Sequence, residues 1–239
     1  MSLQRRAALL AWAERREAVI IEDDYDTEFR FEGRPLDPVQ SLDRSGRVLY
    51  VGTFSKVMLP TLRVGFLIAP ASLQPALRLA KQLTDWYGEL PTQAALARFI
   101  DDGLLARHIR KAGRDYAERR TRIANALQRD FSDWLELVPS AAGLHLTARV
   151  RAKVRARLDL DGVVTRAAAN GVSLTTLARY YADAMSTSAA PPGLLIGYGA
   201  IATQKVDEGM RRLAAAFTSA SPATSRRVSP ARYSAPAGG

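Results

Sequence analysis

Three short apolar runs between residues 18 and 70 constrain the fold more than any other feature of the chain. Ala18-Val19-Ile20-Ile21 breaks into the polar stretch Glu22-Asp23-Asp24-Tyr25-Asp26. Residues 47–54 (RVLYVGTF) end at Ser55-Lys56, and residues 62–69 (LRVGFLIA) are closed by Pro70. Short β-branched or apolar runs bounded by turn residues read as strands, the first two as buried strands of an α/β sheet. In such sheets the residues that do chemistry gather outside the carboxyl ends of the strands. Turn chemistry at 33–37 and 43–46 separates the first two runs.

The rest of the chain supplies the helices and a second unit. The opening residues, with Leu9, Leu10, Trp12 and Ala13 followed by Glu14-Arg15-Arg16-Glu17, read as a helix packing one face on a core. Residues 72–130 carry helical periodicity, ending in a long charge-laced segment in which Ile109, Tyr116, Ile123 and Leu127 recur at helical spacing. That helix is expected to cross between two domains. Strand-like stretches at 143–150, 172–176 and 193–198 around helical ones at 161–170 and 204–217 predict a small α+β unit. The expected organisation is a larger domain over 1–115, a small α+β domain over 116–217, and a tail over 218–239. The tail is rich in Ser, Pro, Ala and Gly, with too few large apolar groups to offset ordering entropy, and is expected to be disordered.

Composition removes several function classes. The 239 residues include no cysteine, so neither disulfides nor thiolate metal sites are available, which fits a reducing, cytoplasmic location. His108 and His145, far apart in sequence, are the chain's two histidines and make a poor basis for a metal centre or a Ser-His-Asp triad. No apolar run approaches the roughly 20 residues that a membrane-spanning helix needs. A net charge of +10 favours anionic partners, but charge speaks of association rather than fold. From 149 to 157 five cations alternate with apolar residues, which on an extended segment would put all five on one face. An anion contact and a solvated edge that discourages strand pairing are both compatible with that pattern.

The chemistry lies between residues 22 and 63. Asp23 and Tyr25, two apart on an extended segment, leave the same side of the strand, and Asp24 leaves the other. Parity therefore pairs Asp23 with Tyr25. Taken alone, the acidic stretch is equally the polar turn of any surface strand. At the end of the second run Thr53 and Ser55 offer hydroxyls, Gly52 lets backbone come close to a ligand, and Lys56 offers an amine. Partial desolvation and nearby cations would lower the pKa of such a lysine toward the neutral, nucleophilic form. Arg63 adds a planar fork suited to phosphate. A lysine that attacks an aldehyde, a carboxylate for a protonated pyridine nitrogen, a donor for a phenolate and groups for a phosphate are what pyridoxal 5'-phosphate (PLP) asks of a protein.

The run IIEDDYDTEFRFEGRPLDPVQSLDRSGRVLYVGTFSKVMLPTLRVGFLIAP resembles the aminotransferase-like domain of MocR/GabR-type transcriptional regulators of the GntR group, itself similar to class I/II aminotransferases of fold type I. ARHIRKAGRDYAERR, GLHL and GYGAI…VDEGMRRLA extend the resemblance over nearly all of 1–217. The resemblance implies an α/β fold: the C-terminal part of a PLP-binding large domain, a mostly parallel sheet with helices, followed by the small α+β domain. It makes Lys56 the Schiff-base lysine, Asp23 the pyridine-nitrogen partner, Tyr25 the phenolate partner, and Thr53, Ser55 and Arg63 the phosphate neighbourhood. Arg179, in Leu177-Ala178-Arg179-Tyr180, matches the arginine that clamps a substrate carboxylate. A homodimer, an amino-acid or amine ligand, and DNA contacted only through a preceding winged-helix domain are also implied.

Members of this family are about twice as long. The chain is therefore expected to start inside the large domain, without the glycine-containing phosphate loop, the ring-stacking aromatic and an asparagine near the phenolate. Three readings of function stay open on the residues alone: an effector-sensing domain of a regulator, a class I/II aminotransferase in which Lys56 moves a proton as general base, and a segment that binds no cofactor and serves as a dimerisation piece.

Overall fold

Ser2 opens the chain's first helix, α1 (Leu3–Arg15), by accepting a hydrogen bond from the Arg5 N–H at 3.4 Å. The computed structural model describes residues 1–33, 37–86, 88–181 and 190–218, so the tail beyond Thr218 lies outside the described residues. The chain then enters β1 (Ile20–Asp24). Glu22 on this strand accepts from the Val39 and Gln40 N–H groups at 2.8 and 2.9 Å, capping the short helix α2 (Val39–Leu42) with a carboxylate from another element. Asp43 sets the entry to β2 (Val48–Thr53) by accepting from the N–H groups of Ser45, Arg47 and Val48 at 3.0, 2.7 and 2.9 Å.

β1 and β2 pair in parallel, with Asp23 opposite Val51 and Asp24 opposite Gly52. A turn at Pro60–Leu62 leads to β3 (Gly65–Ile68), which runs antiparallel to β2. This three-stranded sheet, in the order β1-β2-β3, leaves β3 exposed along its whole length. Three helices follow: α3 (Gln74–Asp85), α4 (Leu90–Asp101) and α5 (Leu104–Asp130). Among the described residues no helix is long and apolar enough to cross a membrane.

The second sheet is antiparallel throughout, in the order β4-β5-β7-β6, with strands Leu135–Val138, His145–Val150, Thr175–Thr176 and Gly193–Gly197 for β4 to β7. Helices α5, α6 (Leu160–Ala169) and α7 (Val206–Thr218) pack with it. The core sits here. Leu146, Ala148 and Val150 point inward from β5, and Phe131, Val163, Leu194, Tyr198, Leu213 and Phe217 are completely or almost completely buried. Each large side chain removed from water in this way contributes about 1.5–3 kcal/mol. Phe217 is central, with Phe131 edge-on at 5.3 Å and Trp134 tilted against it at 5.4 Å.

Two local expectations change. β4 lies in a stretch that sequence pattern leaves unassigned, because four residues directly after a long helix carry too little periodicity to be separated from it. The basic stretch from Arg149 does not stay extended. β5 ends at Val150, residues Ala152–Val154 form a 3-10 turn, and the cations disperse. Lys153 pairs with Asp133 at 3.1 Å, Arg151 donates to the Leu135 carbonyl, and Arg157 donates to that of Lys153. The chain has to turn here to reach Asp159, whose carboxylate caps α6.

A strap joins the two sheets. Phe29, in the loop after β1, is buried in the core of the second sheet and meets Tyr116 of α5 edge-on at 4.7 Å. The Gly143 N–H donates to the Phe29 carbonyl at 3.0 Å, and the Phe31 N–H donates to that of Ala141 at 2.8 Å. Arg120 pairs with Glu32 at 2.7 Å and lies over the Phe31 ring.

Candidate functional site

The register of the first sheet gathers the sequence-selected residues at one end. Asp23, Tyr25 and Thr53–Lys56 stand at or just beyond the carboxyl ends of two neighbouring parallel strands. Gly65 pairs with Thr53, and the Phe54 N–H donates to the Val64 carbonyl, so the backbone of Arg63 lies at the same end. Arg63 adopts a left-handed conformation (φ 52°), unusual for a non-glycine residue and a position of local strain.

Strand parity separates the acidic residues as the alternation requires. Ile20, Glu22 and Asp24 face a partly buried side, while Ile21 and Asp23 face solvent. Asp24 is tied into the fold: the Tyr50 hydroxyl donates to it at 2.7 Å, and the Thr27 hydroxyl also donates to it. Burial and this carboxylate push the Tyr50 pKa upward. Asp23 makes no side-chain hydrogen bond or ion pair among the described residues and stays open to a ligand. The Tyr25 hydroxyl is kept protonated by the charge of Asp26, by burial and by Asp23, which leaves it a donor.

Thr53 and Ser55 are bonded locally: the Ser55 N–H reaches the Thr53 hydroxyl at 3.1 Å, and the two hydroxyl oxygens are 3.0 Å apart. Lys56 follows on an exposed turn closed by the Met58 N–H donating to the Phe54 carbonyl. Its neighbour Val57 is buried in the second sheet's core, which pins the turn from below.

Arg179 stands apart from this group. It is exposed, on a 3-10 turn (Leu177–Tyr180) that follows β6, whereas Leu177 and Tyr180 beside it line a cleft of about 510 Å³. The same cleft is lined by Tyr25, Asp26, Ala142, Gly143, His145 and Leu195, so it opens between the end of the first sheet and the second.

Asp26 and His145 escaped the sequence reading. Asp26 is half-buried; burial and the charge of Asp24 raise its pKa, while His145, Lys56 and the Leu144 N–H act in the opposite sense. Asp26 carried a signal in the motif, but His145 lies more than a hundred residues away, on the outward side of β5, and no local pattern joins the two.

No protein-family model matches the chain. It is 39% identical over 220 residues to the "Probable rhizopine catabolism regulatory protein MocR" of Rhizobium meliloti, covering 91% of this chain and 42% of that protein. It is 35% identical over 198 residues to the "HTH-type pyridoxine biosynthesis transcriptional regulator PdxR" of Corynebacterium glutamicum, covering 82% of this chain and 40% of the relative. Among solved structures, the kynurenine aminotransferase of Pyrococcus horikoshii superposes with a TM-score of 0.78 at 26% identity, over 93% of this chain and 53% of that one. The chain thus spans less than half the length of these two regulators and about half of the enzyme. Shared sequence and shared fold place the chain among aminotransferase-like domains of fold type I, of the kind that MocR-type regulators carry.

Proposed function

We propose that residues 23–63 hold pyridoxal 5'-phosphate and that the domain binds an amino acid or amine there as the effector-sensing part of a MocR-type regulator. The observation that carries this reading is the convergence of Asp23, Tyr25 and Thr53–Lys56 on the carboxyl ends of two adjacent parallel strands. The donor set fits the group. Asp23 is an uncommitted carboxylate for a pyridinium nitrogen, Tyr25 a protonated donor for a ring oxygen, Thr53, Ser55 and Arg63 the neighbours of a phosphate, and Lys56 an accessible amine. When bound, PLP supplies an aldehyde that condenses with amines and a ring that takes up electrons released at the ligand's α-carbon.

The chain's own residues do the rest. Asp23 would pair with the ring nitrogen and favour its protonated form, Lys56 would carry the cofactor until a ligand amine takes its place, and Arg179 would take the ligand carboxylate. On the aminotransferase reading Lys56, once freed as a neutral amine, would also accept the proton of the ligand's α-carbon. The solved Pyrococcus horikoshii relative was crystallised with PMP, which supports the cofactor class. The regulators' names, one of them of HTH type, support a role in transcription. DNA contact through a separate winged-helix domain, a homodimeric assembly and a cytoplasmic location belong to the same proposal.

Turnover as an aminotransferase is the second reading. It is favoured by 29% identity over 216 residues to the aromatic-amino-acid aminotransferase 1 of Thermococcus litoralis. The shared cofactor step is tested by incubating the chain with PLP, reducing with borohydride and mapping the adduct by mass spectrometry. The adduct is expected on Lys56 and absent from Lys56→Ala; an adduct undiminished in that variant would refute the assignment. Formation of a keto acid from an amino acid with 2-oxoglutarate would favour the enzyme over the sensor.

A further inference from the structure

The cleft between the two sheets holds an acidic group that the cofactor reading does not use. Asp26 stands beside Tyr25 on one wall, and Gly143, His145, Leu177, Tyr180 and Leu195 form the other. The approach of Asp26 to that wall is built into the backbone. Gly143 has φ 89°, and a Cβ there would come within 2.9 Å of the Asp26 carboxylate, so only glycine leaves the carboxylate its place. The neighbouring Leu144 N–H also bonds to the Asp26 carboxylate. A carboxylate has about four acceptor sites. Among the described residues no side chain donates to this one, and it borders an open cleft rather than a packed core.

We infer that Asp26 reads a hydrogen-bond donor on the ligand's side chain, a hydroxyl or an ammonium group, and selects against ligands whose side chain is apolar or ends in a second carboxylate. This rests on the proposal that Lys56 and its neighbours hold the cofactor and so bring a ligand amine to this end of the sheet. Lys56 and Asp26 both follow the carboxyl ends of β1 and β2, the end of the first sheet at which the cleft opens, so a ligand amine brought to Lys56 arrives beside that cleft. Ala142 and Gly143 leave room for the chain, and Leu177 and Leu195 give its methylene groups apolar walls. At the far end a donor meets a half-buried carboxylate whose charge burial and Asp24 already disfavour. An ammonium there offsets that load, whereas a carboxylate adds to it. An apolar side chain leaves the acid further desolvated with no donor beyond the Leu144 N–H.

The test uses the whole chain loaded with PLP and four probes of similar length: L-homoserine, L-ornithine, L-norvaline and L-glutamate. Dissociation constants are measured by calorimetry. Homoserine and ornithine are expected to bind about 10-fold or more tighter than norvaline and glutamate, from the usual strength of a hydrogen bond to a charged group. In Asp26→Ala that advantage disappears while norvaline binding stays within about 2-fold. Asp26→Asn keeps the acceptor for the Leu144 N–H, guarding against a folding defect; it is expected to weaken ornithine more than homoserine, because only the ammonium depends on full charge. Equal affinities for the four probes in the native chain, or an equal loss for all four in both variants, would overturn the inference while a borohydride-fixed adduct on Lys56 leaves the cofactor reading standing. No adduct and no binding of any probe would remove both.

Discussion

The two sheets of this chain are comparably apolar in sequence and differ in what their apolar groups touch. The second sheet buries its inward residues under α5, α6 and α7, with Phe131, Leu146, Tyr198 and Phe217 at 0–1% exposure. The first leaves Ile21 70%, Leu67 46% and Ile68 44% exposed, and α3 beside it shows Leu79 at 56% and Leu83 at 76%. The difference teaches that strand-forming pattern and core-forming contact are separate properties. Pattern made β1 to β3 strands, but only close packing on both faces makes a sheet self-sufficient. The candidate site residues therefore stand on the less buried sheet, which is braced by the more buried one through Val57 and the strap.

The sharpest way to break this comparison is to attack the second core. Phe131→Ala is expected to cost about 3–5 kcal/mol in urea-induced unfolding, the usual range for emptying a buried aromatic site. A loss below 1 kcal/mol would mean the second sheet is no better supported than the first. Asp43→Ala, on the first sheet, is expected to cost about 1–3 kcal/mol, because it strips the N–H groups at the start of β2 of their acceptor. Its pH dependence has a definite sign. Burial opposes ionisation of Asp43, but the N–H groups of Val48, Arg47 and Ser45 and the Ser45 hydroxyl outweigh it and hold its pKa below the ordinary 3.8. This stabilisation is present above pH 3.8 and lost as pH falls through the lower folded value, so circular dichroism should show acid sensitivity that Asp43→Ala lacks.

The second sheet has its weak point at the other end of the scale. Burial, aided by Asp26 against the opposing charge of Arg120, pushes the Tyr198 phenol up to about 12. The neutral phenol is the form the fold prefers, so its contribution is complete below pH 10.0 and fades as pH rises toward about 12. Tyr198→Phe leaves the Gly143 carbonyl without its hydroxyl donor. It is expected to cost about 1 kcal/mol at neutral pH and to flatten the alkaline loss in an unfolding titration. The smallest effect is expected at Leu83→Gln, within about 0.5 kcal/mol by thermal melting, because that side chain is mostly in water.

Much of this was legible beforehand. Short apolar runs bounded by turn residues located β1, β2, β3 and β5, helical spacing located the long helix, and alternation alone distinguished Asp23 from Asp24, because parity in a strand is a local property. What local pattern lacks is distance between elements. It could not show that β3 would run antiparallel and stay exposed, that residues 149–157 would turn rather than extend, or that His145 would share a cleft with Asp26. Arg179 shows the same limit: its turn borders the cleft, while its own side chain is exposed outside the lining.

The strap between Asp26 and Glu32 has a further consequence, historical rather than mechanical. Because Glu32 answers Arg120 and the Asp26 carboxylate lies where a Cβ at Gly143 would meet it, the effect of a change on one side depends on the residue on the other. In a lineage of such domains these two pairs are where substitutions should arrive together, so that a record of paired changes would outline the join between the sheets even where the surrounding sequence had drifted.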